Sequence, residues 1–243
     1  MSATNKRERA ERAAALLAER ERAAKRKQRL SIVGIVVVIV LIVGAGFVVN
    51  RLRDTTNEVD PATDSAATYG VTIGPEDAPH EIVIYEDFLC PICGQLEAAG
   101  NEQLSSLADE GKVRITYRPF TLLSNLGDYS ERTAAAFGVV LDKSGPDVAK
   151  KFHDLLYENQ PKESGPFPDD DAIVELAVEA GADESEVGDA IRDLDGKDFA
   201  DGATAAATEA GVSSTPTILL DGQRFSDGRT MEQVAENLIA AVD

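Results

Sequence analysis

The stretch IYEDFLCPICGQL, residues 84–96, holds both cysteines of the 243-residue chain, Cys90 and Cys93, with only Pro91 and Ile92 between them. Three chemistries use thiols in such a pair. A structural disulfide here would close almost no loop, so on the loop-entropy account it would stabilise the chain little. A metal centre needs about four ligands, and the two histidines, His80 and His153, stand at no spacing that completes a set with the cysteines. A reactive dithiol asks only that one thiol be acidified and the other lie within reach. Pro91 suits the first turn of a helix, where its missing N–H is not needed. A helix beginning there puts Cys90 at its amino end, where unpaired N–H groups and the positive end of the dipole favour thiolate. Cys93 falls about one turn further in, near enough to resolve a mixed disulfide.

The elements that must hold this pair can be read around it. A short strand at Tyr69 to Ile73, a turn through GPEDAPH and a strong strand at Glu81 to Glu86 lead into the cysteines. The helix from about Pro91 to Ala108 ends before Gly111, and KVRITYRPF (Lys112 to Phe120) alternates as a strand does. Residues about 128–210 then read as several helices, most ending at or near a glycine. Strand returns at TPTILL (Thr215 to Leu220), and Asp221-Gly222 supplies the positive φ angles of a hairpin turn into QRF. A last helix, Thr230 to Val242, closes the chain.

Upstream, Leu30 to Val49 runs twenty residues without a charge, which as a helix covers a hydrocarbon layer of about 30 Å. A transmembrane helix is expected at 30–49. The stretch exceeds the usual h-region of a cleavable signal, and a charged arm precedes it. Residues 1–29 carry ten Lys or Arg against four Asp or Glu, so this arm is expected to stay cytoplasmic. Residues 50–66 read as a tether, and 67–243 as one domain outside the cytoplasm. Beyond residue 29 the chain has 14 basic and 39 acidic side chains, a balance that repels phosphate backbones and excludes nucleic acid as a partner.

YEDFLCPIC, VRITYRPF, KFHDLLYE and GVSSTPTILLDG occur in an order that resembles the DsbA-like branch of thioredoxin-fold thiol-disulfide oxidoreductases, in its membrane-anchored bacterial form. The resemblance runs from about residue 67 to the end. It implies an α/β thioredoxin fold with a helical subdomain inserted at about 128–210, and no cofactor. It implies that Cys90 and Cys93 are catalytic, that Pro91 and Ile92 open the active-site helix, and that Pro216 is cis, with Thr215 presenting its backbone to substrate. The partners implied are exported proteins with cysteines and a quinone-coupled membrane oxidase, or a membrane electron donor if the enzyme reduces. The chain departs from the family pattern in two places. Ile84 stands six residues before Cys90, where relatives carry a buried acid, leaving Glu86 and Asp87 as candidates for proton transfer. Ile92 stands where the most oxidising relatives have histidine, which implies a less oxidising pair.

Readings other than an oxidase stay open at this stage. The same pair could serve a reductase or isomerase, and the domain could be a binding or chaperone module with a vestigial disulfide. His80 is expected in a turn and His153 on the packed face of a helix, while Tyr85, Phe88 and Phe120 could form either a rim for substrate or ordinary core.

Overall fold

A computed structural model of the chain describes residues 69–243. The arm at 1–29, the apolar segment at 30–49 and the tether at 50–66 lie outside the described residues, as do the expectations placed on them. Among the described residues no helix is long and apolar enough to cross a membrane.

Strands β1 (Val71–Ile73), β2 (His80–Glu86) and β3 (Val113–Pro119) are joined by helix α1 (Pro91–Asp109). A helical block follows: α2 (Tyr129–Ser144), α3 (Pro146–Glu158), α4 (Asp170–Ala180), α5 (Glu184–Arg192) and α6 (Lys197–Glu209). The hairpin β4 (Thr217–Leu220) and β5 (Gln223–Phe225) and helix α7 (Met231–Val242) end the chain. The five strands form one sheet in the order β1-β3-β2-β4-β5. β2 and β3 run parallel, with α1 as their crossover, and the other pairings are antiparallel. This is the thioredoxin fold with a helical insertion.

β2 is the central strand, paired on both edges and packed by helices on both faces, so neither face meets solvent. Ile82 and Ile84 enter the main core with Leu96 and Leu104 of α1, Ile115 of β3 and Leu238 of α7. Val83 and Tyr85 point the other way, onto Ala203 and Ala207 of α6, with Phe120 beside them. A strand buried on both faces reads as continuous apolar sequence, which is the reason IVIY carries no polar alternation.

His80 opens β2, opposite Val113, rather than sitting in the preceding turn. Its Nδ1 meets the Asp221 carboxylate at 2.9 Å, and that carboxylate also accepts the Glu81 N–H, so the hairpin tip ties down the start of the strand. Asp221 and Gly222 both have positive φ, at 51° and 76°.

Local chemistry explains where the inserted helices start and stop. Asp169 accepts the Ala172 N–H before α4, and Asp183 accepts the Ser185 N–H before α5, each satisfying an otherwise unpaired donor. α4 ends on Gly181 in the left-handed conformation. Gly196, at the start of α6, approaches α2 so closely that a Cβ there would lie 2.0 Å from the Ala135 carbonyl oxygen. Because that obstacle is backbone, Gly196→Ala is expected to destabilise the chain by about 2–3 kcal/mol, read as a lowered urea midpoint with an unchanged slope.

Candidate active site

The cysteines sit where the central strand gives way to the first helix. Cys90 is the N-cap of α1, in extended conformation, with Pro91 in the first turn. Its N–H donates to the Asp87 carbonyl at 2.8 Å, and its own carbonyl accepts the Gly94 N–H at 3.1 Å. As a thiol, Sγ donates to the Thr215 carbonyl oxygen at 3.7 Å. The Thr215–Pro216 peptide is cis.

Both cysteines are free thiols. The Cys90 thiol is lowered from 9.0 to about 6, chiefly by a hydrogen bond from Cys93. Burial opposes the shift, while the Thr215 side chain and the N–H groups of Cys93 and Ile92 reinforce it. Cys93 is wholly buried, and burial, followed by the Cys90 side chain, pushes its thiol well up. The two sulfurs therefore divide the work of a redox pair, with Cys90 thiolate at neutral pH and Cys93 holding its proton. Beside them Ile92 is 42% exposed, an apolar side chain presented at the amino end of the helix.

Two side chains fix this turn. Asp87 is fully buried. Its carboxylate accepts from the Leu89 N–H at 2.9 Å, the Leu123 N–H at 2.8 Å and the Ser130 hydroxyl at 2.7 Å. Burial raises its pKa against those hydrogen bonds. Asp87 thus ties the active-site turn to the loop after β3 and to α2. Gln160, just past α3, donates to the carbonyls of both Phe88 and Cys90 at 2.9 Å. A Cβ on Gly94 would come within 2.4 Å of the Gln160 amide oxygen, so glycine at 94 gives that side chain its path. Tyr85, Phe88 and Phe120 are buried and form core rather than rim. Thr217 is buried too, and donates to the Ser214 carbonyl at 2.7 Å, which braces the turn before β4.

Glu86 shares the strand face of Ile82 and Ile84 and is fully buried. Its Oε1 lies 2.5 Å from Nε2 of His153 on α3, whose Nδ1 meets Asp154 at 2.9 Å. Lys150 reaches the same Asp154 oxygen at 2.6 Å and Asn101 at 2.9 Å. Burial disfavours the imidazolium, but the charge of Glu86 and the hydrogen bonds of Asp154 and Glu86 outweigh it, and His153 is raised to about 9. Glu97, one turn beyond Cys93, completes the group. Burial, then the charge of Glu86, raises it to about 8.

Ligand atoms of Glu86, Glu97 and His153 lie within 4.8 Å of one another, a spacing that would suit a cation. Both imidazole nitrogens face carboxylates, and with the ring raised to about 9 both act as N–H donors at neutral pH, which leaves no lone pair for a metal there. The cluster is a buried ion pair with a second carboxyl beside it.

Sequence reasoning placed His153 on a packed face but did not foresee this pairing, and it passed over Glu97, Gln160 and Lys150. For Glu97 a signal was present, since Cys93 and Glu97 stand four apart and share a helix face. For Gln160 there was none, because its partners are 72 and 70 residues distant, and for Lys150 only the i,i+4 spacing to Asp154 was local, its contact with Asn101 spanning 49 residues.

A stability prediction follows from the buried pair. A group whose pKa is higher folded than unfolded stabilises fully below its unfolded value and loses that contribution as pH rises through the folded one. For His153 the window runs from 6.5 to about 9, and for Glu97 from 4.5 to about 8. Cys90, depressed from 9.0 to about 6, acts with opposite sign in the same range. In a Cys90→Ser/Cys93→Ser chain, unfolding free energy should therefore fall by several kcal/mol from pH 6.5 to 9, and His153→Gln should flatten that slope in urea titrations.

Comparison with known proteins agrees with this geometry. The family model described as Thioredoxin matches residues 66–240. The chain is 24% identical over 205 residues to the "Probable disulfide bond formation protein D" of Bacillus cereus, covering 81% of this chain and 90% of that one. Among solved structures it resembles the reduced form of DsbG from Mycobacterium tuberculosis, at 28% identity and a TM-score of 0.59. That match covers 71% of this chain and 86% of the other. DsbA from the same organism matches at 27% identity and a TM-score of 0.59, covering 71% and 90%. The chain belongs to the thioredoxin family, as a thiol-disulfide oxidoreductase of DsbA type.

Proposed function

We propose that the chain forms disulfides in exported proteins while held at the membrane by residues 30–49, with Cys90 as the exchanging sulfur and Cys93 as its buried partner. The observation that carries this reading is the asymmetry of the two thiols, because a thiolate stable at neutral pH is also a good leaving group. In the oxidised enzyme a substrate thiolate attacks Cys90 Sγ. The Cys90–Cys93 bond breaks, and Cys93 leaves with the electron pair and takes up a proton. A second substrate thiolate then attacks the substrate sulfur of the mixed disulfide, and Cys90 departs as thiolate. The substrate has lost two electrons and the enzyme now holds them as a dithiol.

Substrate docking falls to the element against Cys90. Its position against the Cys90 sulfur supports a role for Thr215 and Pro216 in aligning an extended peptide by backbone hydrogen bonds. Exposed Ile92 adds an apolar contact. The dithiol needs an acceptor for two electrons and two protons. A membrane oxidase coupled to quinone would supply it, and a tether near the bilayer keeps the two in reach. The N-terminus would then lie in the cytoplasm and the described domain outside it. Of the two acids considered for proton transfer, Asp87 is committed to three hydrogen bonds, which makes it a positioning residue and leaves Glu86 for the proton.

The test is the reduction potential of the full chain in detergent, equilibrated in glutathione buffers with its two thiols counted. A value of roughly −120 to −180 mV supports disulfide donation, whereas one near −270 mV or below points to a reductase using the same pair.

A further inference from the structure

The hairpin that follows Pro216 carries a cation that the exchange chemistry leaves unused. Arg224 lies on β5, at one edge of the sheet, and pairs with Leu219 of β4. Directly opposed residues of an antiparallel pair share a face, and alternation along β4 puts Thr217 on that face too. Arg224 is exposed, and its side chain runs back along β4 to the turn that opens the strand. There Nη2 donates to the Ser214 hydroxyl at 3.0 Å and to the Thr217 hydroxyl at 3.2 Å.

Of the guanidinium's donors, only those on Nη2 are used in this way. Among the described residues the donors on Nε and Nη1 have no partner, and no carboxylate pairs with the group. Asp221 of the same hairpin is held by His80 and the Glu81 N–H. Beyond residue 29 acids outnumber bases 39 to 14, so an unpaired guanidinium is a local exception in the charge of this domain.

Its place gives that exception a use. Ser213 and Ser214 are exposed, Thr215 and Pro216 are half-buried, and β4 pairs with β2 only from Thr217 onward. The backbone at 214–216 is therefore open to an added strand, next to the Cys90 sulfur that meets the Thr215 carbonyl oxygen. A strand laid there with its cysteine at Cys90 sets one residue flanking that cysteine opposite Ser214, whichever way the strand runs. Opposed side chains on one face stand about 5 Å apart, which brings the flanking side chain to Ser214 Oγ and the guanidinium bonded to it.

We infer, resting on the exchange reading above, that Arg224 is a specificity-determining residue that favours substrates whose cysteine is flanked by an acidic side chain. Its free Nε and Nη1 donors offer a carboxylate a charge-assisted hydrogen bond. Because Nη2 is already fixed by two hydroxyls, less side-chain freedom is lost when the pair forms. The acidic surface repels an acidic peptide as a whole, and Arg224 offsets this only at the site. Selection therefore concerns the residue beside the cysteine rather than the net charge of the substrate.

The experiment uses the oxidised full chain in detergent and dithiol peptides that differ only in the residues flanking one cysteine, which are Glu, Gln or Lys. Peptide disulfide is measured by mass spectrometry after acid quenching, at low ionic strength. The rate ratio of the Glu peptide to the Gln peptide is compared between wild type and Arg224→Gln, which removes the charge and keeps an amide donor. Any effect of glutamate on its neighbouring thiol is the same for both proteins and cancels. The wild-type ratio should exceed that of Arg224→Gln by about two- to fivefold, and the excess should shrink as salt is added. Arg224→Lys should retain the preference, and Arg224→Glu should transfer it to the Lys peptide. A residue that merely braced the turn would slow all three peptides alike. Equal ratios in wild type, Arg224→Gln and Arg224→Glu would overturn the inference and leave the exchange reading intact. A wild-type chain that oxidises none of the peptides would instead sink the exchange reading, and this inference with it.

Discussion

Cys93→Ala is expected to turn the protein into a trap: incubated with a reduced protein that carries a single cysteine and an oxidant of low molecular mass, it accumulates as a mixed disulfide through Cys90. Turnover falls on the order of a thousandfold or more, and Cys90→Ser abolishes turnover without leaving any adduct. The asymmetry comes from burial. Cys90, at the amino end of α1, keeps 6% of its surface exposed while Cys93 keeps none, so an outside thiol meets only one sulfur. Without Cys93 the adduct has no internal thiol to release it. Non-reducing electrophoresis distinguishes the variants directly. Equal adduct formation by Cys90→Ser and Cys93→Ala would mean that the exposed sulfur had been misassigned.

The part of this arrangement that the sequence disclosed is the part that local rules govern. Pro91 after a cysteine and glycines after apolar-periodic runs are local signals, and each stands in the structure within a residue or two of its expected place. The inserted helices α2 to α6 were legible for the same reason, since most of them end at or near a glycine. The 3-10 turn at Ser124–Leu126 went unread because three residues give no periodicity. Its importance is tertiary, as the Leu123 N–H before it is one of the donors that hold Asp87.

The polar group beneath the cysteines was legible only by halves. Glu86 was visible as a candidate because it ends the central strand, yet alternation alone left open which of Glu86 and Asp87 faced the core. The structure buries both, Glu86 by continuing the face of Ile84 and Asp87 by turning back onto the loop and α2. His153 is 67 residues from its partner, and nothing in KFHDLLYE distinguishes an imidazole packed against aromatic rings from one holding a proton between two carboxylates. It does both, lying 4.7 Å from the Tyr117 ring and 5.7 Å from that of Phe88, centroid to centroid. Tertiary contact converts an ordinary helix position into a charged one, and that conversion has no sequence signature.

The alkylation rate of Cys90 should rise with pH along a single titration with its midpoint near 6, and in Cys93→Ala that midpoint should move up toward the ordinary thiol value of 9.0. The sign follows from the order of causes. The hydrogen bond donated by Cys93 is the largest contribution lowering Cys90, and burial, which works against thiolate, remains when that donor is removed. What is left is the Thr215 side chain and two backbone N–H groups at the helix end. At pH 7 wild type is then roughly nine-tenths thiolate, and the variant mostly thiol, so iodoacetamide modifies it several-fold more slowly. A midpoint that stays near 6 in Cys93→Ala would assign the acidity to the helix end alone. The distinction bears on direction of exchange. A thiolate stabilised by its own partner loses that support once the disulfide forms, so the dithiol state is favoured and the disulfide is the better donor. Acidity owed only to the helix would persist in every mixed disulfide and favour the outgoing Cys90 whichever sulfur attacked.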